Sequence, residues 1–223
     1  MNQDGAAVRA FHEELRALEG ELLRMGAFVE QAVHAAVKSL ATRDLDLARR
    51  VIAEDDIADK MQVDIENRCL ELIALHQPMA SDLRVIGTAL KIVTDLERIA
   101  DHAADVARAT IRLGNEPLIK PLIDIPRMAE TAQQMVKGAL DSFVGRSPDM
   151  ARRLREADDL VDHLYSQVFR ELLVYMMEDP STIRQATSLL MVAQHLERVA
   201  DHATNIGEWV IYMITGDRCD LND

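Results

Sequence analysis

The sequence predicts an all-α protein in which six long helices form two tandem, pseudo-symmetric three-helix bundles. Three observations carry that prediction. All six prolines fall where a helical pattern breaks, and the segments between them carry apolar residues at alternating steps of three and four. The third observation is an internal repeat: LERIADHA at 96–103 returns as LERVADHA at 196–203, an offset of 100. No window alternates with period two over the length of a strand.

The helices follow in order. The first spans 6–42. The second, 44–75, has Asp44 as its N-cap. The loop HQPMAS around Pro78 separates it from the third, 80–113. The proline-rich stretch GNEPLIKPLIDIP (114–126) then divides the chain. Beyond it lie helices at 125–145, at 148–178 with Ser147 as N-cap and Pro148 at the first helical position, and at 181–215 after EDPST. LARRVIAEDDIAD (47–59) matches MARRLREADDLVD (150–162) at an offset of 103, so the repeat spans the second helix of each half as well as the third. The expected organisation is a first bundle at 1–113, a linker at 114–126 and a second bundle at 127–223. Each helix buries an apolar seam that it cannot bury alone.

Composition bounds the function. Apolar residues make up 48% of the chain, enough for a real core, while aromatics are only 4%. The formal charge of −13, with no block of Lys or Arg, argues against nucleic acid or an anionic lipid surface as partner and suits cations. No apolar run reaches the ~18–20 residues of a membrane span, and the N-terminal residues lack a signal-peptide pattern. Cys69 and Cys219 match no metal motif or disulfide framework and read as free thiols in a reducing, cytoplasmic compartment.

The repeated motif places acids in register. In the third helix Ala89, Val93, Leu96, Ala100, Ala103 and Ala107 occupy a and d positions, as do Leu189, Ala193, Leu196, Ala200, Ala203 and Gly207 in the sixth. Glu97 and Asp101 then flank the seam, as do Glu197 and Asp201. On the second helix, with its stripe Leu47, Val51, Ala58, Met61 and Ile65, the flanking pair is Asp55 and Asp59. On the fifth, with Met150, Leu154, Ala157, Val161, Leu164 and Val168, it is Asp158 and Asp162. Helices joined by a short loop pack antiparallel, and both pairs of a half stand equally far from the turn, so four carboxylates converge in each half. Like charges at i, i+4 cost a helix ~0.2–0.5 kcal/mol, which neighbouring Arg98, Arg198, Arg152 and Arg153 or a bound cation offsets. All-oxygen ligation suits Fe³⁺, Mn²⁺, Mg²⁺ or Ca²⁺. Asp105 and Asn205, one turn further on, extend each ridge as peripheral ligands, whereas Asp56 and Asp159 belong on the surface.

Other chemistries lack their residues. A Glu-x-x-His di-iron motif is missing, since Glu97 is followed by Ala100 and Glu197 by Ala200. His102 and His202 invite a reading as phosphoryl acceptors, but they stand about 100° round the helix from Asp101 and Asp201, where a solvated histidine is the commoner outcome. There is no glycine-rich phosphate loop, no Ser–His–Asp set and no Cys–His pair, so no enzyme activity is expected.

The segments QPMASDLRVIGTALKIVTDLERIADHAADVA and HLERVADHATNIGEWVIYMITG, with the first helix FHEELRALEGELLRMGAFVEQAVHAAVKSL, resemble the PhoU family along essentially the whole chain. The resemblance implies a regulator of phosphate uptake and negative regulator of the phosphate-starvation response. Such a protein is a cytoplasmic adaptor, peripheral to the inner membrane, between the phosphate ABC transporter's ATPase subunit and a sensor histidine kinase. It also implies metal clusters of iron, zinc or manganese on Asp55, Asp59, Glu97 and Asp101 and on Asp158, Asp162, Glu197 and Asp201. A homo-oligomer, a dimer first, is expected from the resemblance and from the apolar WVIYMI (209–214) read as exposed. A metal-dependent phosphate-handling protein with no adaptor role is the alternative.

Overall fold

Local signals set the helix boundaries. In the computed structural model, which describes residues 3–222, the helices are α1 (Gln3–Thr42), α2 (Leu45–His76), α3 (Ala80–Leu113), α4 (Asp124–Val144), α5 (Pro148–Arg152), α6 (Leu154–Glu178) and α7 (Ile183–Thr215). A single 3₁₀ turn, Pro180–Thr182, precedes α7, and no strand occurs among the described residues. Asp44 caps α2 by accepting from the Leu47 amide at 2.9 Å. Ser147 caps α5 by accepting from the Met150 amide, with Pro148 at the first position where its missing N–H costs nothing.

The fifth predicted helix is broken in two at Arg153. Ala151 of α5 and Leu154 at the start of α6 turn into the core, while Met150 is exposed, against its expected place in the apolar stripe. Gly207 of α7 lies against this break, and a β-carbon there would meet Leu154 Cδ1 at 2.7 Å, so a larger residue would make the Leu154 side chain shift.

α3 and α7 form the centre, and each is buried along most of its length. They run antiparallel in a single register. Arg84 Nε donates to the Met213 carbonyl, Thr88 Oγ1 to the Trp209 carbonyl, Asp95 meets His202, and His102 meets His195. In each of these pairs (84 with 213, 88 with 209, 95 with 202, 102 with 195) the numbers add to 297. Since the repeat offset is 100, this register makes the contact pseudo-two-fold. α1 and α2 pack on α3, α4 to α6 pack on α7, and one continuous core joins both halves.

WVIYMI is inside this arrangement, not on an exposed face. Val210, Ile211 and Met213 are buried against the start of α3, and Trp209 and Tyr212 are half-buried in an edge-to-face pair. It therefore lends no support to a dimer. The linker is likewise held down. The Ile119 amide donates to Gln185 Oε1, Gln185 Nε2 donates to the Pro117 carbonyl at 3.0 Å, and the buried Lys120 pairs with Glu171.

A shared core predicts shared unfolding. Leu196→Ala empties a fully buried site in that continuous core and should cost about 2–5 kcal/mol. Far-UV circular dichroism and the fluorescence of Trp209, the chain's one tryptophan, should then move to lower urea together. Two separated transitions would show that the halves unfold independently.

Candidate metal centre

The antiparallel hairpin of α2 and α3 brings the first four carboxylates to one groove. Asp55 and Glu97 are half-buried, Asp101 is partly so, and Asp59 is exposed. Burial raises the Asp55 carboxyl pKa, and the nearby Asp101 raises it further. Glu97 is raised by burial first and then by Asp101, Asp59 and Asp55, so all four share one electrostatic field. Two arginines offset it. Arg98 lies 3.1 Å from Asp101 and 3.5 Å from Glu97, and Arg108 reaches across from α3 to Asp55 at 3.2 Å.

α6 and α7 build the corresponding groove in the second half. Asp158 is buried, Glu197 and Asp201 are half-buried and Asp162 is exposed. Burial pushes the Asp158 carboxyl up to about 7, with Asp162, Asp201, Asp159 and Glu197 all adding in the same direction. Burial is also the leading cause for the raised Glu197, Asp201 and Asp162. Among the described residues none of these four acids forms an ion pair with Lys or Arg. Arg198 acts on Glu197 and Asp201 only from a distance, and Arg152 is turned to Asp149. The repeat explains the difference, because the position of Arg108 is filled by Glu208, which instead accepts from the Leu221 amide. Asp158 Oδ1 is left buried without a hydrogen-bond partner. An orphaned buried oxygen among uncompensated carboxylates fits a cation.

The ridge residues, expected as peripheral ligands, have partners on the α3–α7 side of the grooves. Asp105 is held by Arg108 at 2.8 Å and faces His195 Nδ1 at 3.7 Å, and Asn205 Nδ2 points to Asp95 Oδ1 at 3.5 Å. Both face the contact between α3 and α7, because the antiparallel register brings 105 and 205 alongside the opposite helix. Asp56 and Asp159 are on the surface as expected. The histidines are not. His102 is only 9% exposed and His202 is half-buried, because the α3–α7 contact covers the face expected to be solvated. Burial, followed by the charges of His202, His195 and Arg198, lowers the His102 pKa to about 4. His195, Asp95 and Arg108 escaped the reading of the sequence. Their only signal was disagreement between the repeats, with Asp95 against His195 and Arg108 against Glu208.

Fold and site together define an internally duplicated helical bundle with one carboxylate groove per repeat. The PhoU domain model matches residues 22–110 and 125–210, and the chain belongs to the PhoU family. It is 44% identical over 216 residues to the phosphate-specific transport system accessory protein PhoU homolog of Clostridium acetobutylicum, covering 96% of this chain and 99% of that one. With the Aquifex aeolicus protein of the same description identity is 42% over 205 residues, covering 92% and 93%. Two crystal structures share the fold. PhoU from Pseudomonas aeruginosa gives a TM-score of 0.88 at 39% identity, covering 93% of this chain and 100% of that one. The phosphate transport system regulatory protein PhoU from Streptococcus pneumoniae gives 0.87 at 31%, covering 94% and 99%.

The raised Asp158 pKa has a definite sign. A carboxyl raised from an ordinary 3.8 to about 7 stabilises the fold below 3.8, and that contribution is lost as pH rises through 7. In chelator-treated protein Asp158→Asn should therefore melt higher than wild type at pH 8, by about 2–4 °C for each kcal/mol recovered. The gain should vanish by pH 4. Equal melting temperatures at pH 8 would show that Asp158 carries no buried-charge penalty.

Proposed function

We propose that this protein regulates phosphate uptake and damps the phosphate-starvation response by binding partner proteins in the cytoplasm. Its partners in this reading are the ATPase subunit of the phosphate ABC transporter and the sensor histidine kinase that reports on it. The observation that carries the reading is similarity along nearly the whole chain to proteins described as accessory to phosphate-specific transport. Two further features support it. Among the described residues no helix is long and apolar enough to cross a membrane, so association with a transporter runs through protein surface. The net charge of −13 disfavours direct repression on DNA.

In this proposal the two grooves hold metal clusters, with iron, zinc or manganese the ions that the family resemblance implies. Asp55, Asp59, Glu97 and Asp101 form one ligand set and Asp158, Asp162, Glu197 and Asp201 the other. The ion would neutralise like charge that the fold crowds together, bracing the α2–α3 and α6–α7 hairpins. The protein acts as a homodimer on this reading, which rests on the family alone.

Three measurements test these statements. Asp101→Asn with Glu97→Gln should remove metal from the first groove and leave the second loaded, and unchanged stoichiometry by elemental analysis rules the ligand set out. Light scattering that returned 25.0 kDa at micromolar concentration would dismiss the dimer. Deleting the gene, in a cell with no second copy, should leave transporter and alkaline phosphatase genes expressed in phosphate-rich medium. Normal repression there would sink the regulatory role. If repression fails but the ATPase subunit is not pulled down with the chain, metal-dependent phosphate handling replaces the adaptor.

A further inference from the structure

We propose that His102, His195 and Asp105 form a separate binding site for one borderline transition-metal ion, Zn²⁺ first, at the contact between α3 and α7. The three donors are brought together from both halves of the chain, with His102 and Asp105 on α3 and His195 on α7. Their ligand atoms all lie within 4.8 Å of one another, and among the described residues no other set of three His, Cys, Asp or Glu does so. The acidic grooves therefore do not meet at single-ion spacing, whereas this site does.

The spacing is that of a tetrahedral ion. Zinc bonds of about 2.0–2.2 Å to nitrogen and oxygen put neighbouring tetrahedral donors about 3.3–3.5 Å apart. His102 Nδ1 and His195 Nδ1 stand at 3.3 Å, and Asp105 Oδ2 is 3.7 Å from His195 Nδ1. Two imidazoles and one carboxylate make a donor set that favours Zn²⁺ over the hard ions of an all-oxygen groove. Outer contacts already orient the carboxylate, since Arg108 takes Asp105 Oδ1 and leaves Oδ2 turned towards His195. Arg112 and Arg198 also act on His195, and their charge favours an anion over neutral water at the fourth position. Three protein donors leave that position open.

The repeat supplies an internal control. The antiparallel register and the offset of 100 present positions 95, 102 and 105 twice. On one side stand His195, His102 and Asp105; on the other stand Asp95, His202 and Asn205. The second set has one imidazole, whose Nδ1 is 2.9 Å from Asp95 Oδ1, and an amide at 3.5 Å from the same oxygen. It is a hydrogen-bonded group with a single nitrogen donor, so one site is expected per chain.

Cobalt distinguishes this site from the grooves, because Co²⁺ absorbs visible light strongly in a tetrahedral site and weakly among six oxygens. Full-length, metal-stripped protein should bind one equivalent of Co²⁺ with strong absorption, and Zn²⁺ should displace it. His195→Gln should abolish the signal, and Asp105→Asn should weaken Co²⁺ binding about 10–100-fold. His202→Gln should leave the signal intact, as should Asp158→Asn with Asp201→Asn, which separates this result from the fate of the groove assignment. Strong absorption that persists in His195→Gln and Asp105→Asn overturns the proposal, as does weak absorption in the wild type. Should His195→Gln fail to fold by circular dichroism, Asp105→Asn decides alone, since it keeps both imidazoles and the side chain's shape.

Discussion

The antiparallel contact of α3 with α7 is the constraint on which the rest of the molecule depends. Named side chains fix its register: Arg84 and Thr88 of α3 donate to the Met213 and Trp209 carbonyls of α7, and Asp95 and His102 meet His202 and His195. Leu96, Ile99, Leu196 and Val199 are buried in the core that joins the two halves. Each of the two helices must satisfy its own hairpin partner and its duplicate at once. For that reason the charged positions of LERIADHA and LERVADHA are forced onto the remaining flank, where they meet α2 or α6.

That geometry accounts for acids where like charge is costly. The carboxylates are not scattered over solvated faces; they are crowded because the seam leaves each helix a single free ridge, and the hairpin turns that ridge towards its mate. The two grooves are copies in backbone and differ in counter-charge. Arg108 reaches Asp55 in the first, while its counterpart Glu208 ties down the C-terminal segment at Leu221. Ion pairs from Arg98 and Arg108 thus separate the first groove from the second, where the Asp158 oxygen is orphaned.

Much of this was legible in the chain. Proline positions and three/four periodicity located the helix ends to within about three residues, because those signals are local and the helices are long. The acidic registers were legible for the same reason, since hairpin partners are neighbours in sequence. What was hidden involves the contact between repeats. Nothing in an offset of 100 states which way one copy lies on the other, so His102 read as solvated and Asp95 and His195 drew no notice. The break at Arg153 was hidden too, because the apolar stripe of the fifth predicted helix runs through it without interruption. WVIYMI misled for a related reason, as an apolar helix end reads as exposed when the helix that covers it is 121 residues away, as Thr88 is from Trp209.

Arg108 also decides which solution variable each groove answers to. In the first groove the charge on Asp55 is balanced by a half-exposed guanidinium, and the strength of that pairing falls as dissolved salt screens it. In the second no guanidinium is within reach, and Asp158 is balanced by a proton that leaves near neutrality, at about 7. Dissolved salt therefore acts on Asp55 through its guanidinium partner, whereas the charge on Asp158 follows acidity near neutrality.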